Sequence, residues 1–394
     1  MGEDAGGERL LRGYAGRLFI GISLGWFLIV FGRQLLPPLL PSIIADLEIS
    51  SFQAGIALTG LFAMRALNQY PGGRLADQLS RKTVLVGSLL IASVGFVLLS
   101  ASVVYALFLL AVAVVGVGAG AYSVTTRATT ADLYIEKRGR AFGVQGAFTS
   151  VAGVASAGGA VVALAVGDWR SAFLPIVAVL LLLVVSLHRW NRDPYVVERI
   201  EFEILGTARR VLGAVQIRRV VAAYVLCLFS WMGIIGFLPT FLQIEKGLSP
   251  TAASAGFGLV YVVGVIAGPF AGVFGDRYGK LRMSVLAMLF GMVGVFALVV
   301  VDAIALIALF IAMLAIGFWS FFPVTQAYLM DSFSDDTMAG DLGAVKTVWG
   351  LAGSLGPAYI GFVADFQDYT VAYLGTVGCL LVALGVIAYA KRSD

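Results

Sequence analysis

Gly73-Arg74-Leu75-Ala76-Asp77-Gln78-Leu79-Ser80-Arg81-Lys82 returns, altered, as Gly272-Val273-Phe274-Gly275-Asp276-Arg277-Tyr278-Gly279-Lys280. Each copy is a short, basic, glycine-bearing turn between two long apolar runs. Gly73 and Asp77 recur as Gly272 and Asp276 at one constant offset of about half the chain. The same offset aligns Arg127-Ala-Thr-Thr-Ala-Asp132 with Gln326-Ala-Tyr-Leu-Met-Asp331. A fixed internal period dictates architecture and is read before any local feature. The chain is two halves of one build.

The apolar runs say what solvates those halves. Of 394 residues, 60% are hydrophobic and only 13% charged, with a mean hydropathy of +0.94, whereas soluble domains average about 25% charged residues. A bilayer must cover this surface. A span needs roughly 20 apolar residues, and twelve runs qualify: 18–44, 52–72, 84–104, 106–130, 141–166 and 173–187, then 220–242, 255–274, 283–301, 303–329, 340–363 and 373–390. The expected fold is an all-α integral membrane protein, twelve transmembrane helices in two pseudo-symmetric six-helix bundles. These occupy 18–188 and 220–390, with a linker at 189–219 and tails at 1–17 and 391–394.

Charge distribution orients the chain. Of 27 Lys and Arg, 21 fall in one alternating set of connecting segments, and only Arg170 and Lys246 fall in the opposite set. Positive loops stay in the cytoplasm, so both termini and the linker are expected there, with the bundles in the plasma membrane. The net charge of +4 therefore reports topology, and no nucleic-acid partner is expected. Residues 1–17 read as a polar tail, with the first span directing insertion, and no acylation motif follows Gly2. Cys227 and Cys379 lie inside apolar runs, where a thiol acts as a small hydrophobe; no metal site and no cofactor are expected.

The repeated turn, placed between the second and third spans and again between the eighth and ninth, resembles the signature loop of the major facilitator superfamily of secondary transporters. The first copy departs from that pattern at Gln78 and Ser80, and the second at Gly275. The resemblance implies alternating access around a midplane cavity between the halves. It also implies a latch in which the loop aspartate and the following basic residue engage the inner ends of spans 4 and 11. Asp77, Arg81 and Asp132 match those places, with Asp276, Lys280 and Asp331 as the second-half echo. Arg127 and Lys346, near the same edge, read as gate residues.

Charges inside a span are costly and mark function by default. Here they are all positive: Arg33, Arg65, Arg127 and Lys346. Helix rise places Arg33 and Arg65 on either side of the midplane, and no Asp or Glu lies near a span centre. An anionic substrate can supply the missing charge through a bidentate contact. The competing reading has Arg33 snorkelling to the interface and Arg65 capping carbonyls. The candidate substrate set is Arg33, Arg65, Asn68 and Gln69 from the first half, with Trp231, Trp319, Gln326 and Trp349 from the second.

The favoured activity is transport of a small organic anion by a monomer. Efflux of a hydrophobic compound by proton antiport is the alternative, suited by Trp26, Trp231, Trp319, Phe321 and Trp349. Against it, no embedded carboxylate can carry a proton, and the antiporter pattern of span 5 is reduced to Val154-Ala-Ser-Ala-Gly158-Gly159. A ligand sensor built like a transporter is the remote alternative. No catalytic set or phosphate-cradling loop points to an enzyme. Glycine-rich stretches at 116–120, 153–159 and 350–361 predict close helix contacts, and Pro37, Pro38, Pro41 and Pro357 predict kinks.

Overall fold

The computed structural model describes residues 11–195, 215–331 and 338–392. Residues 1–10 and most of the expected linker, 196–214, lie outside them. The first half comprises α1 (Gly13–Gln34), α2 (Leu36–Asp46), α3 (Ser51–Leu67), α4 (Gln69–Gln78), α5 (Arg81–Ser100), α6 (Tyr105–Leu133), α7 (Arg138–Val166) and α8 (Leu174–Trp190), the last entered through a 3₁₀ turn at Trp169–Ala172. The second comprises α9 (Val215–Ile244), α10 (Pro250–Tyr278), α11 (Lys280–Val300), α12 (Ile304–Asp331), α13 (Met338–Gly353), α14 (Gly356–Phe366) and α15 (Tyr369–Arg392). The described residues contain helices and no strands.

Eleven of the helical stretches are long and apolar enough to cross a membrane. The twelfth crossing is α3 and α4 laid end to end, broken at Asn68. Pro71 explains the break: without an N–H it cannot bond the carbonyl four residues back, and the Asn68 amide turns inward to donate to the Met64 carbonyl at 2.8 Å. This corrects the expected second span, which ran unbroken over 52–72. The helical path continues to Gln78. Pro37 and Pro38 likewise divide the first crossing at Leu35, which keeps helical dihedrals (φ −67°, ψ −28°), so the result is a bend and not a stop. Pro357 divides the eleventh between α13 and α14.

An even number of crossings puts both ends of the described chain on one face, here the terminal side; the other is the distal side. The duplication is visible in the packing. α5 lies on α6 and α11 on α12, each pair meeting through two glycines. A Cβ on Gly95 would come within 2.7 Å of the Val115 nitrogen, and one on Gly294 within 2.5 Å of the Leu314 nitrogen. Gly118 against Ala92 repeats in the same way as Gly317 against Gly291. Backbones approach this closely in a bilayer because dispersion, not water, holds them together, and small residues remove the standoff.

The halves join on the distal side. A Cβ on Gly55 of α3 would sit 2.4 Å from the Pro357 carbonyl oxygen, and one on Gly361 of α14 would sit 2.1 Å from that of Ser51. Hydrogen bonds cross the same seam: the Ala358 N–H donates to Thr59 Oγ1 at 3.2 Å, and the Tyr369 hydroxyl meets Ser51 Oγ at 2.8 Å. Nearer the middle, α7 and α10 meet where Gly153 accommodates the Tyr261 ring.

Candidate functional site

Arg33 sits in the last turn of α1, just before the bend at Leu35, and is only 9% exposed. Its guanidinium lies 5.8 Å from the centroid of Phe62, and its Nε has no hydrogen-bond partner. Arg65 occupies the last turn of α3, just before the break at Asn68, and its buried Nε is also without a partner. Its backbone is pressed onto α6, since a Cβ on Gly116 would meet the Arg65 nitrogen at 3.2 Å and one on Gly120 its carbonyl oxygen at 2.5 Å. Arg33 and Arg65 lie within electrostatic reach of one another.

Arg127 follows Gly120 by two turns of α6, about 10 Å toward the terminal side at 1.5 Å per residue. It is exposed by surface area yet densely surrounded by protein atoms. That combination describes a side chain projecting into a solvent-reachable interior. Lys346 of α13 lies one turn terminal of Gly350, which abuts Ala66. Arg127 is within electrostatic reach of both Arg65 and Lys346. The structure thus gathers the four span cations into one descending series. Among the described residues none of the four forms an ion pair, in contrast to Arg81, Arg170, Lys246 and Lys280.

The second half answers with aromatic rings. Trp231 lies against Phe318 and Trp319 at centroid separations of 5.0 and 6.2 Å, and Tyr261 against Trp319 at 6.0 Å. Gly264, the repeat partner of Arg65, leaves room for the Trp319 indole, which a Cβ there would meet at 2.5 Å. The indole Nε1 is buried and without a partner. Trp349 is 5% exposed and stacked on Tyr224 at 3.8 Å, a packing position. Gln69 and Gln326 are half-buried. Sequence reasoning passed over Tyr261 and Tyr224, which lie within electrostatic reach of Arg33 and Arg127 respectively. Their signal was a hydroxyl carried on an otherwise apolar span.

At the terminal edge, Arg81 Nε bonds Asp132 Oδ2 at 3.1 Å, and Lys280 bonds Asp331. The two pairs are repeat equivalents, each closing within its own half. Asp276 is exposed, and the side chain of Asp77 lies outside the described residues.

Two repeated six-crossing bundles, meeting around cations that no described carboxylate pairs, define a duplicated multi-pass membrane protein. The chain matches the model of the Major Facilitator Superfamily over residues 22–357 and 220–392 and belongs to that family. Its curated relatives include the probable sulfoacetate transporter SauU of Cupriavidus necator, 25% identical over 94% of this chain and 92% of that one. The probable nitrate transporter NarT of Staphylococcus epidermidis is 22% identical over 84% and 85%. An uncharacterized MFS-type transporter of Mycobacterium tuberculosis is 34% identical over 37% of this chain, which spans 21% of that protein's length. The fold is similar to that of a bacterial homolog of the human lysosomal transporter Spinster, solved inward-facing and unoccupied. That likeness has a TM-score of 0.83 and 17% identity, covering 97% of this chain and 98% of that one.

Proposed function

We propose that this transporter carries a small organic anion by alternating access, with Arg33 and Arg65 as its binding pair. One observation carries the reading: four interior cations stand together with no carboxylate among the described residues to neutralise them. Buried charge of one sign is expensive, and an anion entering the cavity removes that cost. The names of two relatives, a probable sulfoacetate and a probable nitrate transporter, point the same way. Asn68, Gln69, Trp231, Trp319, Gln326 and Trp349 complete the candidate site, with Trp349 acting through its stack on Tyr224.

The terminal side is cytoplasmic on the positive-inside argument, the membrane is the plasma membrane, and the working unit is a monomer. With α3 seated on α14, the distal side is shut and substrate reaches the arginines from the cytoplasm. Arg81 with Asp132 and Lys280 with Asp331 fix the terminal edge of each half as gate elements. We assign Asp77, Asp276, Arg127 and Lys346 to the same gate.

The test is ligand-induced thermal stabilisation of the purified protein against carboxylates, sulfonates, nitrate and hydrophobic cations, repeated on Arg33→Ala and Arg65→Ala. A ligand at about 100 times its dissociation constant adds roughly 2.7 kcal/mol. Stabilisation by an anion, lost in either variant, is the expected result. Stabilisation by hydrophobic cations alone, equal in all three proteins, overturns the reading in favour of efflux.

A further inference from the structure

The four cations form two pairs at different depths. Arg65 precedes the break between α3 and α4 and lies within electrostatic reach of Arg33, whose guanidinium is over Phe62 one turn distal of Arg65; both Nε atoms are buried without partners. Arg127 and Lys346 lie nearer the terminal side, within electrostatic reach of one another. Their separation follows from the helices that carry them. The Arg65 backbone is level with Gly116 to Gly120 of α6, and Arg127 lies about 10 Å further along that helix. Lys346 lies one turn beyond the contact between Gly350 and Ala66, so it belongs to the level nearer the terminal side, with Arg127.

A single carboxylate is only a few ångströms across and answers one level. The other would keep two like charges within reach of one another in the cavity, where they repel. Arg65 lies within electrostatic reach of two cations, Arg33 and Arg127, so a single anionic group placed beside one of them leaves Arg65 repelled by the other.

We infer that the substrate is a dianion whose two anionic groups sit at opposite ends of a short flexible linker. One end is held by Arg33 and Arg65, the other by Arg127 and Lys346. This deepens the anion reading above and rests on it. Arg127 and Lys346 then become specificity-determining residues, in addition to any part they take in the gate. Arginine suits the first role because its planar fork binds a carboxylate or sulfonate bidentately; the single lysine at the mouth acts as a point charge.

The experiment uses the purified full chain at neutral pH and fixed ionic strength, titrated with succinate and glutarate against butyrate and valerate, their length-matched monoanions. Binding is read as the concentration giving half-maximal thermal stabilisation. The dicarboxylates are expected to act at concentrations at least tenfold lower than their partners. Arg127→Gln and Lys346→Gln are expected to abolish that preference while still binding the monocarboxylates, whereas Arg65→Gln loses both classes. Arg127→Lys keeps the charge and is expected to recover part of the preference, which separates lost recognition from damaged folding.

Equal binding of monoanions and dianions by the wild type, or an unchanged preference in both Arg127→Gln and Lys346→Gln, overturns the dianion inference and leaves the anion reading standing. Failure of every anion to stabilise the wild type, or wild-type behaviour of Arg65→Gln, overturns both.

Discussion

Asp365, near the end of α14 in the second half, accepts the backbone N–H of Ser51, the first residue of α3 in the first half, at 2.9 Å. Its other carboxylate oxygen accepts the N–H of Phe52 at the same distance. The first N–H groups of a helix lack intrahelical partners and carry the positive end of its dipole. Ser50 and Gln53 already form a capping box there, so Asp365 caps from across the seam the two donors left over. Opening the distal side must break both bonds. Asp365→Asn replaces one acceptor with a donor and should shift the equilibrium toward a distal-open state by about 1 kcal/mol, roughly fivefold. Spin labels at Val103 and Phe366, both exposed on that side, in a background lacking Cys227 and Cys379, should report a larger long-distance population. An unchanged distribution would remove Asp365 from the gate.

The glycines separate two kinds of damage. Gly361→Val places its side chain against the Ser51 carbonyl across the seam, whereas Gly95→Val places it against Val115 within one half. The first clash is relieved by parting the halves, the second only by distorting one. Gly361→Val should therefore hold the distal side open with its melting temperature nearly kept. Gly95→Val should lose about 1–3 kcal/mol through overpacking. A melting comparison together with the label distances decides it, and equal destabilisation by both would refute the distinction.

The repeated ion pairs at the terminal edge should matter little for stability. Arg81 and Asp132 have side chains 24% and 60% exposed, and Lys280 and Asp331 are 24% and 63% exposed. Solvated pairs of this kind contribute about 0–1 kcal/mol. Asp132→Asn and Asp331→Asn should melt within that margin of the wild type. If the pairs serve the gate, substrate flux into proteoliposomes should still fall several-fold in each. Wild-type flux in both variants would reduce the pairs to surface charge.

The duplication was legible because it is written in the chain as one offset. The same offset later relates Arg81–Asp132 to Lys280–Asp331, and Gly95 against Val115 to Gly294 against Leu314. The span cations were legible because a charge in an apolar run has no ordinary reason to be there. The distal seam was not: Asp365 and Ser51 are 314 residues apart, and nothing local in either segment names the other. The interruption at Asn68 escaped because Pro71 sits close to the polar turn, where a proline reads as the end of a helix. The stack of Trp349 on Tyr224 was not legible, since periodicity gives the face of a helix but not which ring is stacked upon it.

Arg170 supplies a pH dependence with a definite sign. It is one of the two cations on the side that topology leaves poor in positive charge, and it ties three distal turns together. Its Nε donates to the Ser102 carbonyl at 2.8 Å, its guanidinium bonds the Asp46 carboxylate at the end of α2, and it lies 4.5 Å from the Trp169 ring centroid. The hydrogen bond from Arg170 holds the Asp46 carboxyl below the usual carboxylate range. A group whose folded pKa is depressed contributes stability that is fully present above its unfolded value, near 3.9 for Asp, and is lost as pH falls through the folded value. Asp46→Asn should thus melt below the wild type at neutral pH, and the gap should close as the pH is lowered past about 4. The effect is small because Asp46 is 42% exposed in its side chain and water screens the pair. Melting curves of the two proteins from neutral pH to about 3 test it, and a gap that persists at the acid end would mean the loss lies in packing rather than in the ionised pair.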